Sequence, residues 1–341
     1  MTSYCTNTQI NKSVSLLGAQ PEKALAIMPQ DLSSIDAESL YLWAFRARFH
    51  EQLKLKAEEC LLVAAQTGYL PAVVIIVSYL YRNGYEKHGY NYLKMFSNNI
   101  FINNLLKMLK PQASISHDLE LFSLSDPILP EMELINKELG LKSIKNFICE
   151  FDSVWLALRA NNELEPSYII DRTTGQKRLD KVRTSLGCQI KPSENDWLIL
   201  DLQYRIAKAI GARLPQLEIN SFLLYAPGQE YKSHYDYFDP RYEGSDSHLQ
   251  NGGQRTRTAL VYLNDTYSGG ETEFPKVSLS YKGSAKELIV FDNLTKSGEL
   301  NPLTLHRSVP IKNGHKWIVN QWVREGETLY YSKAKEFELL P

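Results

Sequence analysis

The stretch YKSHYDYF, residues 231–238, places His234 and Asp236 two positions apart in a run rich in aromatic residues. In a β-strand, side chains two positions apart project from the same face, so this pair would point together while Tyr235 faces the other way. The pair is either part of a metal site or two polar residues on an ordinary strand. Because two protein ligands hold a metal ion poorly, the decision depends on whether the chain supplies a third ligand.

A third candidate ligand is His306, in the run TLHRSVPI at residues 304–311. After Leu214 the chain consists of short apolar runs separated by glycine and proline turns, which predicts a double-sheet jelly roll. Early and late strands lie close together in that fold, so His306 can join His234 and Asp236. Two histidines and one carboxylate form the facial triad of iron(II) oxygenases, but the same ligand types suit zinc, which leaves a zinc hydrolase as an alternative.

The N-terminal part, residues 1–115, has a helical pattern and is predicted to be a separate domain. Residues 61–81, LLVAAQTGYLPAVVIIVSYLY, approach the length of a membrane span, but Gly68 and Pro71 favour a turn between two helices. The small residues between Ala57 and Gly84 resemble a Sel1-like or tetratricopeptide helical hairpin. Only one clear unit is visible, so an irregular helical domain is the alternative.

A segment rich in proline and serine, residues 116–130, is predicted to be a linker to a second domain at residues 131–341. Helical patterns are expected there at residues 131–140, 143–162 and 194–212, before the strand-like runs begin. The predicted fold class is therefore α+β, with an all-α helical-hairpin domain preceding a jelly-roll domain that carries flanking helices.

Composition and charge restrict the class of protein. The chain is 43% hydrophobic and 23% charged with a net charge of −1, which argues against a nucleic-acid binder because such proteins usually carry a basic face. Its four scattered cysteines contain no CxxC pair, which favours reduced thiols and a cytoplasmic location. The polar N-terminus lacks the apolar core of a signal peptide, and we expect no membrane association.

From residues 147–325 the chain resembles the prolyl 4-hydroxylase branch of the iron(II)/2-oxoglutarate dioxygenases. The motifs that carry the resemblance occur in the family's order: YAPGQEYKSHYDYF at 225–238, GGQRTRTALVYLND at 252–265, GGETEFP at 269–275 and LHRSVPIKNGHKWIVNQW at 305–322. The resemblance implies a double-stranded β-helix (jelly roll), with His234, Asp236 and His306 as the iron ligands.

The resemblance also implies a binding site for 2-oxoglutarate. Lys316, ten residues after His306, would bind the distal carboxylate, and the hydroxyl groups of Tyr225 and Thr272 would contact the same group. A cation at this position has a physical reason, because a buried carboxylate needs charged or multiple donors to offset its desolvation.

Tyr231, Arg255 and Trp322 match positions that line the family's substrate pocket. Strict alternation would put Arg255 and Arg257 on one face of their strand, so the two arginines are rival candidates for that role. Trp322 equally suits core packing.

The activity implied is hydroxylation dependent on Fe(II), 2-oxoglutarate and O2, with ascorbate as a further expected cofactor. The predicted substrate is a prolyl residue in a peptide or protein, bound between residues 172–191 and 238–256, and a protein partner could dock on the helical domain. The alternatives are a hydroxylase of a free amino acid or cyclic imino acid, and an interaction protein whose oxygenase half is inactive. Near-neutral charge argues against a nucleic-acid substrate.

Overall fold

The computed structural model describes residues 2–111, 119–170, 177–179, 181–190, 197–241 and 245–331. The chain divides into two compact units. The first contains residues 1–128 together with 149–152, and the second contains residues 129–148 and 153–333. The predicted domain limits, with a linker at 116–130, fall partly on residues outside the described ranges and stay a prediction.

The first unit is built from helices joined by short turns. They are α1 (Thr2–Leu16), α2 (Pro21–Ala26), α3 (Ala37–Ala47), α4 (Lys54–Gln66), α5 (Leu70–Arg82), α6 (Glu86–Lys94) and α7 (Ile100–Met108). From α3 onwards each helix packs against the next one along the chain.

Side-chain caps and a buried core explain where these helices begin and how they pack. The carboxylate of Asp36 accepts a hydrogen bond from the Ser39 amide at the start of α3, and Asn99 caps α7 in the same way. In the core, the indole of Trp43 donates to the hydroxyl of Ser13 at 2.8 Å, which satisfies a polar group that burial would otherwise leave unpaired.

The apolar stretch at 61–81 is divided between two helices, as the sequence predicts. Helix α4 ends at Gln66 and α5 begins at Leu70, with Gly68 between them at a φ of +84°. Helices in the described part of the chain are all too short or too polar to cross a bilayer.

The second unit contains the strands and three more helices. The strands are β1 (Glu133–Asn136), β2 (Leu141–Ile144), β3 (Glu165–Pro166), β4 (Tyr168–Ile170), β5 (Lys177–Leu179), β6 (Leu186–Gln189), β7 (Ser221–Tyr225), β8 (Tyr231–His234), β9 (Arg255–Tyr262), β10 (Ser268–Gly269), β11 (Thr272–Phe274), β12 (Leu279–Tyr281), β13 (Leu288–Asp292), β14 (His306–Ser308), β15 (Ile311–Asn313) and β16 (Lys316–Arg324). The helices are α8 (Glu150–Asn161), which spans the division between the units, α9 (Trp197–Ile210) and α10 (Ser245–Leu249).

Two antiparallel sheets form the predicted jelly roll. The larger has the strand order β1-β2-β13-β9-β16-β7-β6-β3, and the smaller has the order β12-β11-β14-β8. Buried side chains of both sheets form one apolar core, in which Phe291 of the large sheet meets Phe274 of the small sheet edge to face at 5.2 Å. The prediction of an α+β chain with a double-stranded β-helix is confirmed.

The opposite face of the large sheet packs against helix α9. Gln321 of β16 is fully buried there, and its carboxamide is a hydrogen-bond partner of Gln203 on α9. Apolar residues at helical spacing on α9, such as Leu198, Leu202 and Ile206, are buried as the sequence pattern predicts.

The helix predicted at residues 131–140 is wrong, because these residues form most of the β1–β2 hairpin. The side chain of Asn136 accepts hydrogen bonds from the amides of Glu138 and Leu139, and Gly140 has a φ of +58°. An asparagine turn followed by a left-handed glycine reverses the chain, so β2 can pair with β1 on one side and with β13 on the other.

Two glycines at positive φ allow two costs of an added Cβ to be compared, the strain of the backbone conformation and the steric clash with neighbouring atoms. Gly298 has a φ of +83° and open space where a Cβ would stand, whereas a Cβ on Gly314, at a φ of +76°, would lie 2.5 Å from the carbonyl oxygen of Thr266. We expect Gly298→Ala to lower the free energy of unfolding by about 1 kcal/mol, and Gly314→Ala to lower it by at least about 2 kcal/mol. Denaturant unfolding measures both, and equal losses would contradict the steric argument.

Candidate functional site

Two histidines face each other across the small sheet. His234 ends β8, His306 begins β14, and the two residues are direct partners in the antiparallel register, with ring centroids 4.2 Å apart. Cross-strand partners share a face of the sheet, so pairing over a sequence separation of more than seventy residues brings both imidazoles to one point.

Asp236 completes the cluster that the sequence predicts. Its Oδ1 lies 3.6 Å from Nε2 of His234, and its Oδ2 lies 3.6 Å from Nε2 of His306. One ligand atom from each of the three side chains lies within 4.8 Å of the others. The expectation that His234 and Asp236 share one strand is wrong, because β8 ends at His234 and Asp236 lies in the bend that follows.

Hydrogen bonds to backbone carbonyls orient both imidazoles. Nδ1 of His234 lies 2.7 Å from the carbonyl oxygen of Lys232, and Nδ1 of His306 lies 2.9 Å from that of Thr304. A ring whose Nδ1–H donates to a carbonyl presents a lone pair on Nε2, which is the arrangement of a metal-binding histidine.

A buried pair of polar side chains holds the carboxylate of Asp236. The hydroxyl of Thr258 donates to Oδ2 at 2.7 Å, and the carboxamide of Asn293 donates to the same hydroxyl at 3.0 Å. Both residues are fully buried. The sequence contained no signal for either one, because a threonine in a strand and an asparagine in a turn are ordinary.

Electrostatics favour the protonation states that a metal requires. Burial, followed by the neighbouring His306, lowers the pKa of His234 to about 3, so its ring is neutral near pH 7. Burial alone would raise the pKa of Asp236, but His306, His234, Arg255 and the Thr258 hydroxyl together lower it. A neutral imidazole and an ionised carboxylate are the ligand forms of these side chains.

Lys316 lies in the same cavity as the three ligands and is fully buried. Its ammonium donates to the carbonyl oxygen of Gly270 at 2.6 Å and to the hydroxyl of Ser308 at 3.2 Å. None of the residues that the structure describes offers it a carboxylate within ion-pair distance. Burial therefore lowers the pKa of Lys316 to about 7, with partial compensation from Glu271.

The two predicted hydroxyl groups line this cavity as well. Tyr225 is the direct register partner of Lys316 across β7 and β16, and Thr272 of β11 is buried beside Tyr262, whose hydroxyl is 3.0 Å from its own. Tyr225 and Thr272, which are far apart in the chain, thus share one cavity with the buried cation.

Tyr231 lines the cavity and covers one ligand. Its ring stacks on the imidazole of His234 at 3.5 Å, and the guanidinium of Arg183 lies over the same ring at 5.6 Å. Arg183 was not predicted as a site residue. Its position follows from the bridge that pairs it with Tyr231.

Asn320 is a second cavity residue that sequence reasoning missed. It lies on the inward face of β16, and its buried Oδ1 has no hydrogen-bond partner within the described ranges. Buried amide oxygens usually have a hydrogen-bond partner, so this oxygen is a candidate acceptor for a donor group of a bound molecule.

Arg255 and Trp322 are not among the residues that line the cavity containing the ligands, and their place in a substrate pocket stays a prediction. The two side chains pack on each other, with the guanidinium carbon 3.5 Å from the indole ring. Trp322 is buried, and Arg255 forms an ion pair with Glu218.

The expectation that Arg255 and Arg257 share a face is also wrong. Arg324 pairs with Arg255 while Val323 pairs with Arg257, so the register shifts by one residue between them. Such a β-bulge reverses the alternation, and Arg257 instead donates to the carbonyl oxygen of Ile210 at the end of α9.

The donor set of the cluster fits a divalent transition metal. Two imidazole nitrogens and one carboxylate oxygen suit non-haem iron(II). A set of three protein ligands would leave further coordination positions to a bound molecule. A buried ammonium without a carboxylate beside this cluster fits an anionic ligand.

Comparison with known proteins identifies the catalytic region. A family model described as the 2OG-Fe(II) oxygenase superfamily matches residues 221–324. The probable prolyl 4-hydroxylase 10 of Arabidopsis thaliana is 30% identical over 215 residues, which cover 58% of this chain and 72% of that protein. The probable prolyl 4-hydroxylase 3 of the same plant is 30% identical over 53% of this chain and 68% of its own length.

Among solved structures, the viral collagen prolyl hydroxylase of Paramecium Bursaria Chlorella virus-1, in its 2OG complex, is 26% identical. It matches 54% of this chain and 95% of its own, with a TM-score of 0.42.

The depressed pKa of Lys316 predicts a specific pH dependence of stability. The pKa is about 7 in the folded protein and near 10.5 in the unfolded chain, so the unfolded state binds more protons between these values and stability rises with pH. We expect the free energy of unfolding of the metal-free protein, measured relative to Lys316→Met, to increase by about 1.4 kcal/mol per pH unit from pH 8 to pH 10. Urea titrations at several pH values measure this, and a difference independent of pH would contradict it.

Proposed function

This chain belongs to the prolyl 4-hydroxylase family of 2OG-Fe(II) oxygenases, and from that membership we propose that it hydroxylates prolyl residues in a peptide or protein. The family's cofactors are Fe(II), 2-oxoglutarate and O2, and the chain is a 2-oxoglutarate-dependent dioxygenase. The proposal concerns the roles of individual residues and the substrate.

One observation carries the proposal: a fully buried lysine without a carboxylate partner among the described residues shares a cavity with a His/Asp/His cluster. Burying a cation costs free energy unless an opposite charge joins it. A zinc hydrolase has no use for this cation, whereas an oxygenase that binds a dicarboxylate does.

We assign the iron to His234, Asp236 and His306, which fit it by ligand type, orientation and protonation. Bound iron supplies oxygen activation coupled to decarboxylation of 2-oxoglutarate. Lys316 donates to the distal carboxylate of 2-oxoglutarate, and the hydroxyls of Tyr225 and Thr272 complete its hydrogen bonds.

The walls of the cavity have a separate task. Leu223, Leu260 and Ile318 line it together with the lysine and the ligands, and Tyr231 covers His234. Apolar walls exclude water and protect the side chains around the metal from oxidation.

The substrate assignment rests on the relatives, which are described as prolyl 4-hydroxylases. Tyr235 is partly exposed next to the metal ligands, and its ring stacks on that of Tyr237 at 4.6 Å. Aromatic surfaces of this kind bind proline rings in extended peptides, which supports a peptide over a free amino acid.

Three further proposals concern the rest of the chain. The helical unit would bind a protein partner, since consecutive packed helices present extended surfaces. Ascorbate would support turnover, as the resemblance implies. A reducing, cytoplasmic location agrees with Cys60, Cys149 and Cys188, which form no disulfide within the described residues.

Turnover assays with the full chain test the function. Incubation with Fe(II), 2-oxoglutarate and a proline-rich peptide should yield succinate and a peptide heavier by one oxygen atom, detected by mass spectrometry. Lys316→Met should raise the apparent KM for 2-oxoglutarate by roughly 30-fold or more, because truncating one member of a buried ion pair costs about 2–5 kcal/mol.

Lys312→Met is the matched control, since Lys312 is exposed on the neighbouring strand β15, and it should retain the KM of the unaltered protein. Hydroxylation of free proline with peptides inert would overturn the peptide assignment. Absence of succinate formation with any substrate would overturn the oxygenase itself.

A further inference from the structure

We propose that Pro130 is itself a hydroxylation site, modified by the active site of a second copy of this chain. This assignment rests on the proposed function and deepens it, because it names one protein substrate of the reaction. The proline lies in residues 127–132, PILPEM, which we call the free segment.

The free segment has the form of an accessible peptide. It contains no helix or strand, and no backbone–backbone hydrogen bond joins it to any other residue within the described ranges. Pro127 and Pro130 are exposed, and Ile128 between them is 98% exposed. Residues that precede a proline favour extended backbone, so Leu129 favours the form in which peptides enter binding grooves. The segment can therefore meet another protein without first losing native hydrogen bonds.

Side chains of the helical unit bind the chain just before the free segment. The carboxylate of Glu58 on α4 accepts a hydrogen bond from the amide of Leu124 at 2.8 Å. The guanidinium of Arg82 on α5 donates to the carboxylate of Asp126 at 3.1 Å. Pro127 directly follows this ion pair, so it is the least free of the two prolines.

The other end of the free segment is fixed by the large sheet. Strand β1 begins at Glu133, which pairs with Ser143 of β2. Pro130 lies near the middle between the two fixed ends, Asp126 and Glu133. Because a site that binds an extended peptide contacts residues on both sides of its target, Pro130 is the proline that such a site can use.

The fold favours the site of a second copy over the chain's own site. Pro130 lies three residues before Glu133, so it reaches at most about 10 Å from the start of β1. Strand β1 is at the edge of the large sheet, three strands away from β9, which carries Thr258 beside Asp236. Neighbouring strands are about 4.8 Å apart, so this separation is roughly 14 Å even before the spacing between the sheets is added. With β1 paired, the proline does not reach its own metal cluster.

Charges near the site complement the sequence around Pro130. Glu131 follows this proline directly. Lys232 is exposed on the strand that ends at His234, and its amide donates to the carbonyl oxygen of Val182, which places the exposed Lys181 next to that strand. Positive charge close to the metal ligands favours the approach of a peptide with an acidic residue beside its proline.

The chemical step needs no reactant beyond those already assigned. A ring C–H bond of Pro130 is replaced by C–OH with one oxygen atom of O2, and the other oxygen atom enters succinate as 2-oxoglutarate loses CO2. O2 is fully reduced, half by the C–H bond and half by 2-oxoglutarate. The product is the same backbone with one added hydroxyl group.

Exposure alone does not select Pro130. Pro71 and Pro166 are exposed as well, but Pro71 lies in the first turn of α5, and Pro166 lies in β3, which pairs with β6. Presenting either one to an active site would require breaking hydrogen bonds of a helix or a sheet. These two prolines are internal controls that should stay unmodified.

Mass spectrometry with two forms of the full chain tests the proposal. An isotope-labelled His234→Ala chain, inactive because it lacks a metal ligand, is incubated with the unlabelled active chain, Fe(II), 2-oxoglutarate and O2. The labelled chain should gain one oxygen atom at Pro130, at a rate that rises in proportion to the concentration of the active chain. Fragment-ion spectra must place the oxygen on the proline, because Met132 gains the same mass when it oxidises to the sulfoxide.

Variants of the labelled chain provide the controls. Adding Pro130→Ala should abolish the gain of oxygen, and adding Pro127→Ala should leave it unchanged. Asp236→Ala serves in place of His234→Ala if that chain fails to fold by circular dichroism.

A proline-rich peptide in the same mixture reports the proposed function separately. Hydroxylation of this peptide while Pro130 stays unmodified, or oxygen found only on the active chain, would overturn the inference and leave the proposed function intact. Failure of both reactions would overturn the two together.

Discussion

The burial of the Lys316 ammonium at the centre of the jelly roll is the constraint on which the site depends. Two neutral oxygens accept hydrogen bonds from the group, and no described carboxylate lies within ion-pair distance, so burying this cation costs free energy. Such an arrangement persists when a ligand supplies the missing charge. The distance across the cavity from this lysine to the metal cluster then determines the length of the molecule that can bridge them.

The metal ligands are held by two different physical means. The histidines are direct cross-strand partners in the small sheet, so the register that packs this sheet also brings their rings together. Asp236 lies beyond the end of the strand, where only side chains can hold it. A ligand outside the ladder has freedom to adjust to the metal, but it needs a network of buried polar groups to limit that freedom.

That network connects the two halves of the sandwich. Thr258 and Arg255 belong to the large sheet, while His234 and His306 belong to the small one. The cluster is therefore assembled only when the sheets are packed at the correct separation, which the aromatic contact between Phe274 and Phe291 helps to maintain. Core packing and site geometry therefore depend on each other, and the polar side chains that hold Asp236 are buried and hydrogen-bonded.

Local patterns in the sequence determined the fold class and a set of candidate metal ligands. The spacing of His234 and Asp236, the later His306, and the change from helical to strand-like texture after Leu214 predicted a candidate triad and a jelly roll, whereas the role expected of Lys316 came from the resemblance to the family. The turn at Gly68 and the amphipathic helix α9 were also predicted from local sequence patterns. These features depend on residue type and short spacing, which the chain itself carries.

Only the tertiary structure decided the details that depend on register. A one-residue bulge near the start of β9 separated Arg255 from Arg257, and an asparagine turn converted a predicted helix at 131–140 into a hairpin beside β13. Thr258, Asn293 and Asn320 joined the site through contacts between distant segments of the chain. Because pairing energy is shared over whole sheets, no local pattern of residue types determines which strand meets which, or at what offset.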